Sequence, residues 1–311
     1  MASNVSKKGK VQELKPSMNI STGKKIIPYI LLLPSITIIF IVAFYPIVRT
    51  FFFSLYEFNI KFEKVPTKFI GLANYTKILE DPRFVSSLIN TIIFVIISVS
   101  LELILGILFA LIMHKPSKVR GLIRASILMP WAIPTVVMAL MWRYMYNDQF
   151  GILNHILIKS GVVDHSIVWF GSKLSAMAAL IFSDVWKTTP FMALMLLAGL
   201  QNIPEELYEA ARIDGADNIT SFFTITLPLL VPTIIVALLF RTLDAFKVFD
   251  LPYILTGGGP GNSTEMITMY TYSNITGYLE YGYGSALSIV IFLIIMMLSF
   301  GLIKNFGKSL K

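Results

Sequence analysis

The stretch EELYEAARIDGADNITSFFTITLPLLVP, residues 205–232, joins two segments of opposite character. Its first half holds five carboxylates, an Ala-Ala pair and a glycine, and its second half begins an apolar segment. The first half predicts a short helix that stops at Gly215, because glycine adopts a left-handed backbone without a steric penalty. The stretch therefore predicts an acidic helix-turn-helix between two apolar segments.

The chain as a whole has the composition of a membrane protein. It has 311 residues, of which 55% are hydrophobic and only 14% are charged, and its mean hydropathy is +0.72. Soluble domains carry about a quarter charged residues. The chain has no cysteine, which excludes disulfides, thiolate metal sites and cysteine nucleophiles. The net charge of +8 comes mainly from basic residues next to apolar segments, a pattern of membrane topology and not of nucleic-acid binding.

Six apolar segments are each close to the roughly 20 residues that a helix needs to cross a bilayer. They are residues 26–48, 85–113, 125–146, 174–200, 228–249 and 284–303. These segments are expected to be helices, because backbone polar groups cannot stay unsatisfied in lipid. The first has no short core or cleavage site typical of a signal peptide, so it is expected to remain. The predicted fold is all-α, a polytopic membrane protein with six transmembrane helices.

Lysine and arginine are distributed unequally between the two sides of this predicted topology. One side holds fourteen of them and the other holds seven. The segments of the richer side are 1–25, 114–124, 201–227 and 304–311. The positive-inside rule therefore predicts that both termini and the acidic segment are cytoplasmic. The predicted organisation is a cytoplasmic tail at 1–25, a transmembrane domain at 26–303 and a cytoplasmic tail at 304–311.

Charged residues also lie within the apolar segments. The fifth segment has four charges of alternating sign, each three residues apart, at Arg241, Asp244, Lys247 and Asp250. The fourth repeats the spacing with Asp184 and Lys187. Two interpretations stay open, because residues three apart on a helix can pair with each other and intramembrane charges often line a polar pathway. The candidate residues of a substrate cavity are Trp186, Lys187, Asp244 and Lys247.

Two further features concern the helices themselves. Glu102 is a single acid in the second apolar segment, and we expect it to make a hydrogen bond between helices. Pro130, Pro134 and Pro190 lie within the third and fourth segments. Proline removes a backbone donor and clashes with the preceding turn, so these segments are expected to bend.

No catalytic or metal site is expected. The sequence GLIKNFGKS at 301–309 has one residue too many between its glycines for a phosphate-binding loop, and it follows an apolar segment where such a loop follows a strand. The histidines His114, His155 and His165 are far apart in sequence and lie on loops of different sidedness, so a shared metal site is not expected. The chain is predicted not to be an enzyme and to bind no cofactor itself.

The acidic segment, about 202–227, has the chemistry of a recognition element. Asn202 is expected to cap its first helix, and a second short helix is expected from about Asn218 to Ile225. Small side chains allow a partner to approach closely, Glu209 offers a charge to a basic group, and two phenylalanines at 222 and 223 offer apolar anchors. Helices that rest on lipid usually carry Lys and Arg, so a protein partner is favoured.

Several motifs together resemble the permease subunits of binding-protein-dependent ABC importers, in the carbohydrate-uptake branch. The motifs are FIGLANYTKIL (69–79), MPWAIPTVVMALMWRYMYNDQFGILN (129–154), DVWKTTPFMALMLLAGLQNIPEELYEAA (184–211), EAARIDGA (209–216) and FDLPYILTGGGP (249–260). The similarity is to the first permease of maltose, multiple-sugar and glycerol-phosphate importers, and it covers nearly everything from residue 26 onward. The extra N-terminal spans and the large external insertion of the maltose subunit are not present.

This resemblance implies a type I ABC importer permease-like fold and a set of partners. It implies a second permease, two cytoplasmic ATPase subunits that bind ATP and Mg²⁺, and an extracytoplasmic solute-binding protein, in a bacterial or archaeal cell membrane. It also implies that the acidic segment docks on an ATPase subunit through Glu209, Ala210, Ala211, Arg212, Asp214 and Gly215. The alternative that the residues leave open is a secondary transporter driven by an ion gradient.

Overall fold

The computed structural model of the chain describes the backbone of residues 22–306 and the side chains of residues 29–301, 303 and 304. Residues 1–21 of the predicted N-terminal tail and 307–311 of the predicted C-terminal tail lie outside the described residues. The chain forms two units, one that extends to Arg49 and one that begins at Thr50.

The first unit is helical wherever it is described. Helix α1 (Thr22–Ile39) is followed by a π-helical turn (Phe40–Phe44) and by α2 (Tyr45–Ser54), whose last residues belong to the second unit. Helix α1 begins four residues before the predicted start of the first apolar segment. The 26 residues Tyr29–Ser54 have a mean hydropathy of 2.4, which confirms the first predicted apolar helix.

The second unit is built almost entirely of helices. They are α3 (Ala73–Leu79), α4 (Pro82–His114), α5 (Arg120–Ala132), α6 (Thr135–Met145), α7 (Ile152–Lys159), α8 (Lys173–Leu200), α9 (Glu205–Ile213), α10 (Asn218–Ser221), α11 (Leu227–Phe246), α12 (Asp250–Leu255), α13 (Ile267–Tyr272) and α14 (Tyr281–Phe306). π-Helical turns occupy Phe222–Thr226 and Ser273–Gly277. Two short strands, β1 (Tyr56–Glu57) and β2 (Lys68–Phe69), pair in antiparallel fashion.

Five helices among the described residues are long and apolar enough to cross a membrane, and these include the helix Tyr29–Ser54. The pair α5 and α6 also passes this test, but only when the two helices are counted together. Their axes meet at 92°, so the third predicted apolar segment is not one straight helix. Pro134 precedes α6, and a proline lacks the N–H that would continue α5. The fold is all-α, as predicted. It has five candidate spans, or six if the bent pair of α5 and α6, which we call the broken span, is counted as one.

Helices α4, α8 and α11 form the centre of the second unit. A Cβ atom added to Gly106 of α4 would lie 2.6 Å from Cγ of Met192 in α8, and one added to Gly199 of α8 would lie 2.5 Å from Oγ1 of Thr233 in α11. The missing Cβ atoms therefore let the three helices approach closely. Leu196 and Leu230, both fully buried, belong to the apolar core between them.

The two ends of the second unit differ in construction. We call the end that carries residues 114–120 and 201–227 the segment end, and the end that carries residues 55–81 and 247–280 the loop end. Loops at the loop end are tied to one another over long sequence distances. Gly282 N donates to Phe58 O at 2.9 Å, and Asn59 and Glu280 pair as an isolated β-bridge.

Side-chain contacts also fasten the loop end. Arg83 makes two hydrogen bonds of 2.8 Å to the Glu265 carboxylate, a bidentate arrangement that is stronger than a single contact. Asp81 caps the start of α4 and accepts hydrogen bonds from the hydroxyls of Tyr270 and Tyr283. Burial raises the pKa of Asp81, but these tyrosine hydrogen bonds and those from two backbone amides outweigh burial, so its pKa lies below the ordinary value.

Candidate functional site

The acidic segment forms the helix that the sequence predicts, although its first turn is built differently. Helix α9 begins at Glu205 and ends at Ile213, with Glu205 and Glu206 in its first turn, where carboxylates stabilise the helix dipole. Pro204 precedes it without a side-chain cap. Asn202 donates instead to Ala198 O at 3.1 Å, so its predicted capping role was wrong.

The turn after α9 confirms the predicted role of Gly215. Its φ angle is +84°, in the region that glycine adopts without penalty. Gly215 N donates to Arg212 O at 3.2 Å, and Ala216 N donates to Ala211 O at 2.9 Å. These two bonds form a Schellman motif, which satisfies the last carbonyl groups of the helix.

The second predicted helix of the segment is not separate from the span that follows. Asp217 caps α10 by accepting from Thr220 N at 2.8 Å. Side-chain and backbone hydrogen bonding with Thr220 lowers the pKa of Asp217. Helix α10 then continues through the π-helical turn into α11, and residues Asn218–Phe246 are one helix of 29 residues. The boundary expected at Ile225 was wrong, because Pro228 lies at the start of α11, where its missing N–H interrupts little.

A hydrogen bond of 2.9 Å between the hydroxyls of Tyr208 and Thr226 joins α9 to the turn before α11. Outward from this contact, the segment presents apolar side chains to its surroundings. Ile213 is 86% exposed and Phe223 is 60% exposed. Phe222 is half-buried and packs edge to face on Phe223. The segment thus combines a fixed backbone with an exposed apolar surface.

The predicted docking residues form one continuous part of this surface. Glu209 and Ala210 are exposed, Ala211 is half-buried, and the three residues Arg212, Asp214 and Gly215 are exposed. Within the described part of the chain, none of the five carboxylates of the segment forms an ion pair. The role of these residues in docking stays a prediction. The surface that they form has the charge and the exposed apolar side chains that binding to a protein partner would require.

The charges in the apolar helices are arranged differently, as a buried cluster that joins three spans. Glu102 of α4, Asp184 of α8 and Arg241 of α11 are at most 5% exposed. The Arg241 guanidinium pairs with Glu102 through Nε and Nη2, with Nη2 at 2.9 Å from Oε1, and Nη2 also contacts Asp184. Thr188 of α8 donates to Glu102 Oε1 at 2.7 Å. We call Glu102, Asp184 and Arg241 the ion cluster.

The ion cluster confirms one prediction and corrects two. Glu102 makes the helix-to-helix contact expected of it. The four charges of the fifth segment do not form one ladder, because α11 ends at Phe246 and leaves Lys247 and Asp250 beyond that helix. Asp184 pairs with Arg241 instead of with Lys187, its neighbour in sequence. These partners are 57 and 139 residues away from Arg241, so no local pattern identifies them.

Lys187 holds the break between α5 and α6. Its Nζ donates to Ile133 O at 2.6 Å, and Ile133 is the residue that follows α5. The carbonyl groups at the end of a helix lack intrahelical partners, and a cation is favourable there because of the helix dipole. Lys187 therefore supplies a hydrogen-bond donor to a carbonyl group at the end of α5, where the helix itself offers none.

The structure places two of the four candidate cavity residues on α8 and the other two at the end of α11. Trp186 lines an apolar groove between α4, α5 and α8, whereas Lys187, Asp244 and Lys247 are not among its lining residues. Asp244 lies 3.6 Å from Arg241 and has a side chain that is 74% exposed. Lys247 is also exposed. Their assignment to a substrate path stays a prediction.

Comparison with known proteins places this arrangement in a family. Residues 102–311 match the family described as "Binding-protein-dependent transport system inner membrane component". The chain belongs to this family. The match includes the ion cluster, the broken span and the acidic segment, and it makes the chain a transporter permease of several apolar helices, a multi-pass membrane protein.

Full-length relatives agree with this assignment. The chain is 47% identical over 269 residues to the trehalose/maltose transport system permease protein MalF of Thermococcus litoralis. This stretch covers 86% of the present chain and 89% of the relative. It is 40% identical over 277 residues to the sulfoquinovosyl glycerol transport system permease protein SmoG of Agrobacterium fabrum, covering 89% of each. The permease resemblance seen in the sequence motifs is therefore confirmed.

A solved structure shows the same fold. A chain of a bacterial ABC transporter involved in the import of the acidic polysaccharide alginate superposes with a TM-score of 0.79. The superposition covers 93% of this chain and 98% of that chain, at 22% identity. At this low identity the likeness shows that the two chains share their fold.

Proposed function

We propose that this chain is a permease subunit of an ATP-driven importer that translocates a carbohydrate delivered by an extracytoplasmic binding protein. The observation that carries the proposal is the identity to sugar permeases along most of the chain. Relatives whose names include trehalose, maltose or sulfoquinovosyl glycerol are 37% to 47% identical over 86% to 90% of the chain. The family description supports dependence on a binding protein.

In this proposal the segment end is cytoplasmic, as are both termini, and the membrane is that of a bacterial or archaeal cell. The excess of Lys and Arg on the segment side supports this orientation. The chain pairs with a second permease. Two ATPase subunits bind at the segment end and hold ATP and Mg²⁺, while this chain binds neither and catalyses no hydrolysis.

Coupling between ATP and the membrane follows from how the acidic segment is attached. An ATPase subunit binds the exposed surface around Glu209, and closure of the ATPase dimer displaces α9. Helix α9 is joined by the Tyr208–Thr226 hydrogen bond to the second half of the segment, which continues from Asn218 without a break into α11. Helix α11 carries Arg241, which is bound to both α4 and α8. A displacement of the segment is therefore transmitted to three spans together.

The substrate passes beside Asp244 in the last turn of α11 and Lys247 just after that helix, close to Lys187 of α8, which interacts electrostatically with Asp244. Support comes from the exposure of Asp244 and Lys247, since charged side chains in a membrane protein face a watery cavity or another subunit and avoid lipid. Carboxylate and ammonium groups also suit a polyhydroxy solute, because they form strong hydrogen bonds.

An ion-gradient carrier is the competing class, with the intramembrane charges as its ion path. The observed contacts weaken that alternative. Glu102, Asp184 and Arg241 are engaged with one another, and a guanidinium held by two carboxylates offers little to a passing ion.

The decisive experiment is to purify the chain with its co-purifying subunits from gently solubilised host membranes and reconstitute them in proteoliposomes with the host's binding protein. We expect uptake of labelled trehalose or maltose to require ATP in the compartment facing the segment end and to be blocked by vanadate. A second permease and an ATPase should be identified by mass spectrometry. Uptake without ATP that collapses with an uncoupler would overturn the proposal in favour of a gradient-driven carrier.

A further inference from the structure

A large apolar groove runs along the surface of the second unit between α4, α5 and α8. Its volume is about 870 Å³. On α4 its lining repeats every four residues, at Ile93, Ile97, Leu101, Leu105 and Phe109, which is one continuous stripe of that helix. Ser126 and Thr189 contribute the hydroxyl groups of an otherwise apolar lining. Such a wall offers almost nothing to a polyhydroxy sugar, so the groove does not suit the transported substrate.

Basic residues gather where the groove reaches the segment end. Arg120 Nε and Arg124 Nη2 both donate to Met113 O, at 3.1 and 3.4 Å. Arg124 Nε is buried and has no hydrogen-bond partner. Lys115 and Lys118 are exposed beside them, and the sequence has no acidic residue between Glu102 and Asp148.

Lys115, Lys118, Arg120 and Arg124 form a basic cluster that is uncompensated among the residues that the structure describes. Across the described ranges, no carboxylate forms an ion pair with Lys115, Lys118, Arg120 or Arg124. Each guanidinium has five N–H donors, and Met113 O takes one from each arginine. Most of the donors therefore remain available to an anion.

The basic cluster and the groove are continuous along two helices. On α5, Arg124 stands one turn before Ile127, which lines the groove. On α4, Met113 stands one turn after Phe109, the last groove residue of its stripe. Residues three or four apart share a helix face, so the cationic end and the apolar wall form one surface.

We propose that this surface binds an anionic phospholipid, with its phosphate at Arg120 and Arg124 and an acyl chain in the groove. Arginine matches phosphate in geometry and charge, and basic pockets between transmembrane helices are suited to anionic headgroups. A zwitterionic lipid has the same acyl chains but carries a cation beside its phosphate. The arginines therefore select the headgroup, while the groove contributes apolar contact to either lipid.

The test uses the whole purified complex and native mass spectrometry. The complex is titrated with phosphatidylglycerol or with phosphatidylcholine that has the same acyl chains. We expect wild type to bind phosphatidylglycerol at least tenfold more tightly, and the double variant Arg120→Gln/Arg124→Gln to lose this preference. Lys159→Gln, an exposed site on α7 at the loop end, is the matched control and should keep it. Equal binding of both lipids by wild type, or an intact preference in the double variant, would overturn the proposal.

A second measurement on wild type keeps the test independent of how the arginine variants fold. Trp186 lines the groove, so phosphatidylglycerol with brominated acyl chains should quench its fluorescence more strongly than brominated phosphatidylcholine. Trp186→Phe should lose the headgroup-dependent part of the quenching. If the complex shows no headgroup-dependent quenching and only the separated chain does, the groove is covered by the partner permease and the proposal is wrong.

Discussion

The ion cluster and the acidic segment have similar charged residues and opposite surroundings. In the ion cluster, Glu102 and Asp184 share one guanidinium and are nearly inaccessible. In the segment, Glu209 and its neighbouring carboxylates are exposed and form no ion pair within the described residues. A buried ion must be paired inside the protein, because desolvation is costly, whereas an exposed one stays available to a partner. Burial therefore distinguishes the charges that pair within the protein from those that stay available to a partner.

Removing Arg241, the cation that Glu102 and Asp184 share, should have the largest effect on stability. Arg241→Met would leave two buried carboxylates without a counterion, and we expect a loss of about 3–5 kcal/mol of stability. Thermal unfolding of the purified protein in detergent measures the loss. Arg212→Met, on exposed α9, is the matched control and should unfold near the wild-type temperature. An unchanged midpoint for Arg241→Met would show that the cluster does not hold the spans together.

A double variant measures how strongly Glu102 and Arg241 depend on each other. Glu102→Met combined with Arg241→Met removes a charge of each sign, so it should be less destabilising than the sum of the two single variants by about 0.5–3 kcal/mol. The quantity to measure is the coupling from the four unfolding midpoints, with Asp184 intact throughout. Additive effects would mean that Glu102 and Arg241 are independent, contrary to their contacts.

Charge reversal in the segment should affect function without affecting the fold. For Glu209→Lys we expect uptake in proteoliposomes to fall at least tenfold and the ATPase subunit to be lost on purification, because a charge complementary to the partner becomes repulsive. Membrane insertion and the unfolding midpoint should not change. Asp164→Lys reverses an exposed carboxylate at the loop end and should retain both uptake and the ATPase. Wild-type uptake by Glu209→Lys would refute the docking role.

A substitution in the turn at Gly215 should lower uptake less than charge reversal at Glu209 does. Gly215→Ala forces a Cβ atom into a left-handed backbone and should cost about 1 kcal/mol locally, which would disorder the end of α9 and lower uptake severalfold. Gly121→Ala in α5 is the control, because a Cβ atom added there meets no atom within 4 Å. That change should be neutral or slightly stabilising, and hydrogen exchange of residues 209–217 would distinguish the two variants. Unchanged protection in Gly215→Ala would refute the importance of the turn.

The smallest predicted effect is a pH dependence at the loop end. The pKa of Asp81 is lowered in the folded protein, so its contribution to stability is present above the ordinary carboxyl pKa and is lost as pH falls through the folded value. The unfolding midpoint should drop as pH falls below the ordinary pKa of an aspartate, and the drop should be smaller in Asp81→Asn. Asp164→Asn serves as the control. An equal drop in wild type and Asp81→Asn would assign the effect to other groups.

Prediction from the sequence succeeded where local properties decide the structure. The helix that ends at Ile213 and its stop at Gly215 were predictable, because the backbone preference of a glycine acts on the residues next to it. The predicted cap at Asn202 was not found. The boundary near Ile225 was not predictable, since a proline in the first turn of a span is compatible with a continuous helix. In the third apolar segment the prolines indicated a bend, but they did not indicate the 92° angle.

The sequence by itself determined the all-α class, the place of the apolar segments along the chain, and the acidic segment with its turn. These follow from hydropathy and backbone preference, which act over one or two turns of chain. The tertiary structure alone decided that Arg241 binds Glu102 and Asp184 and that Lys187 binds Ile133 O. Those partners lie on different helices, and only packing determines which charge meets which, because each buried ion must find its counterion among the side chains that the neighbouring helices present.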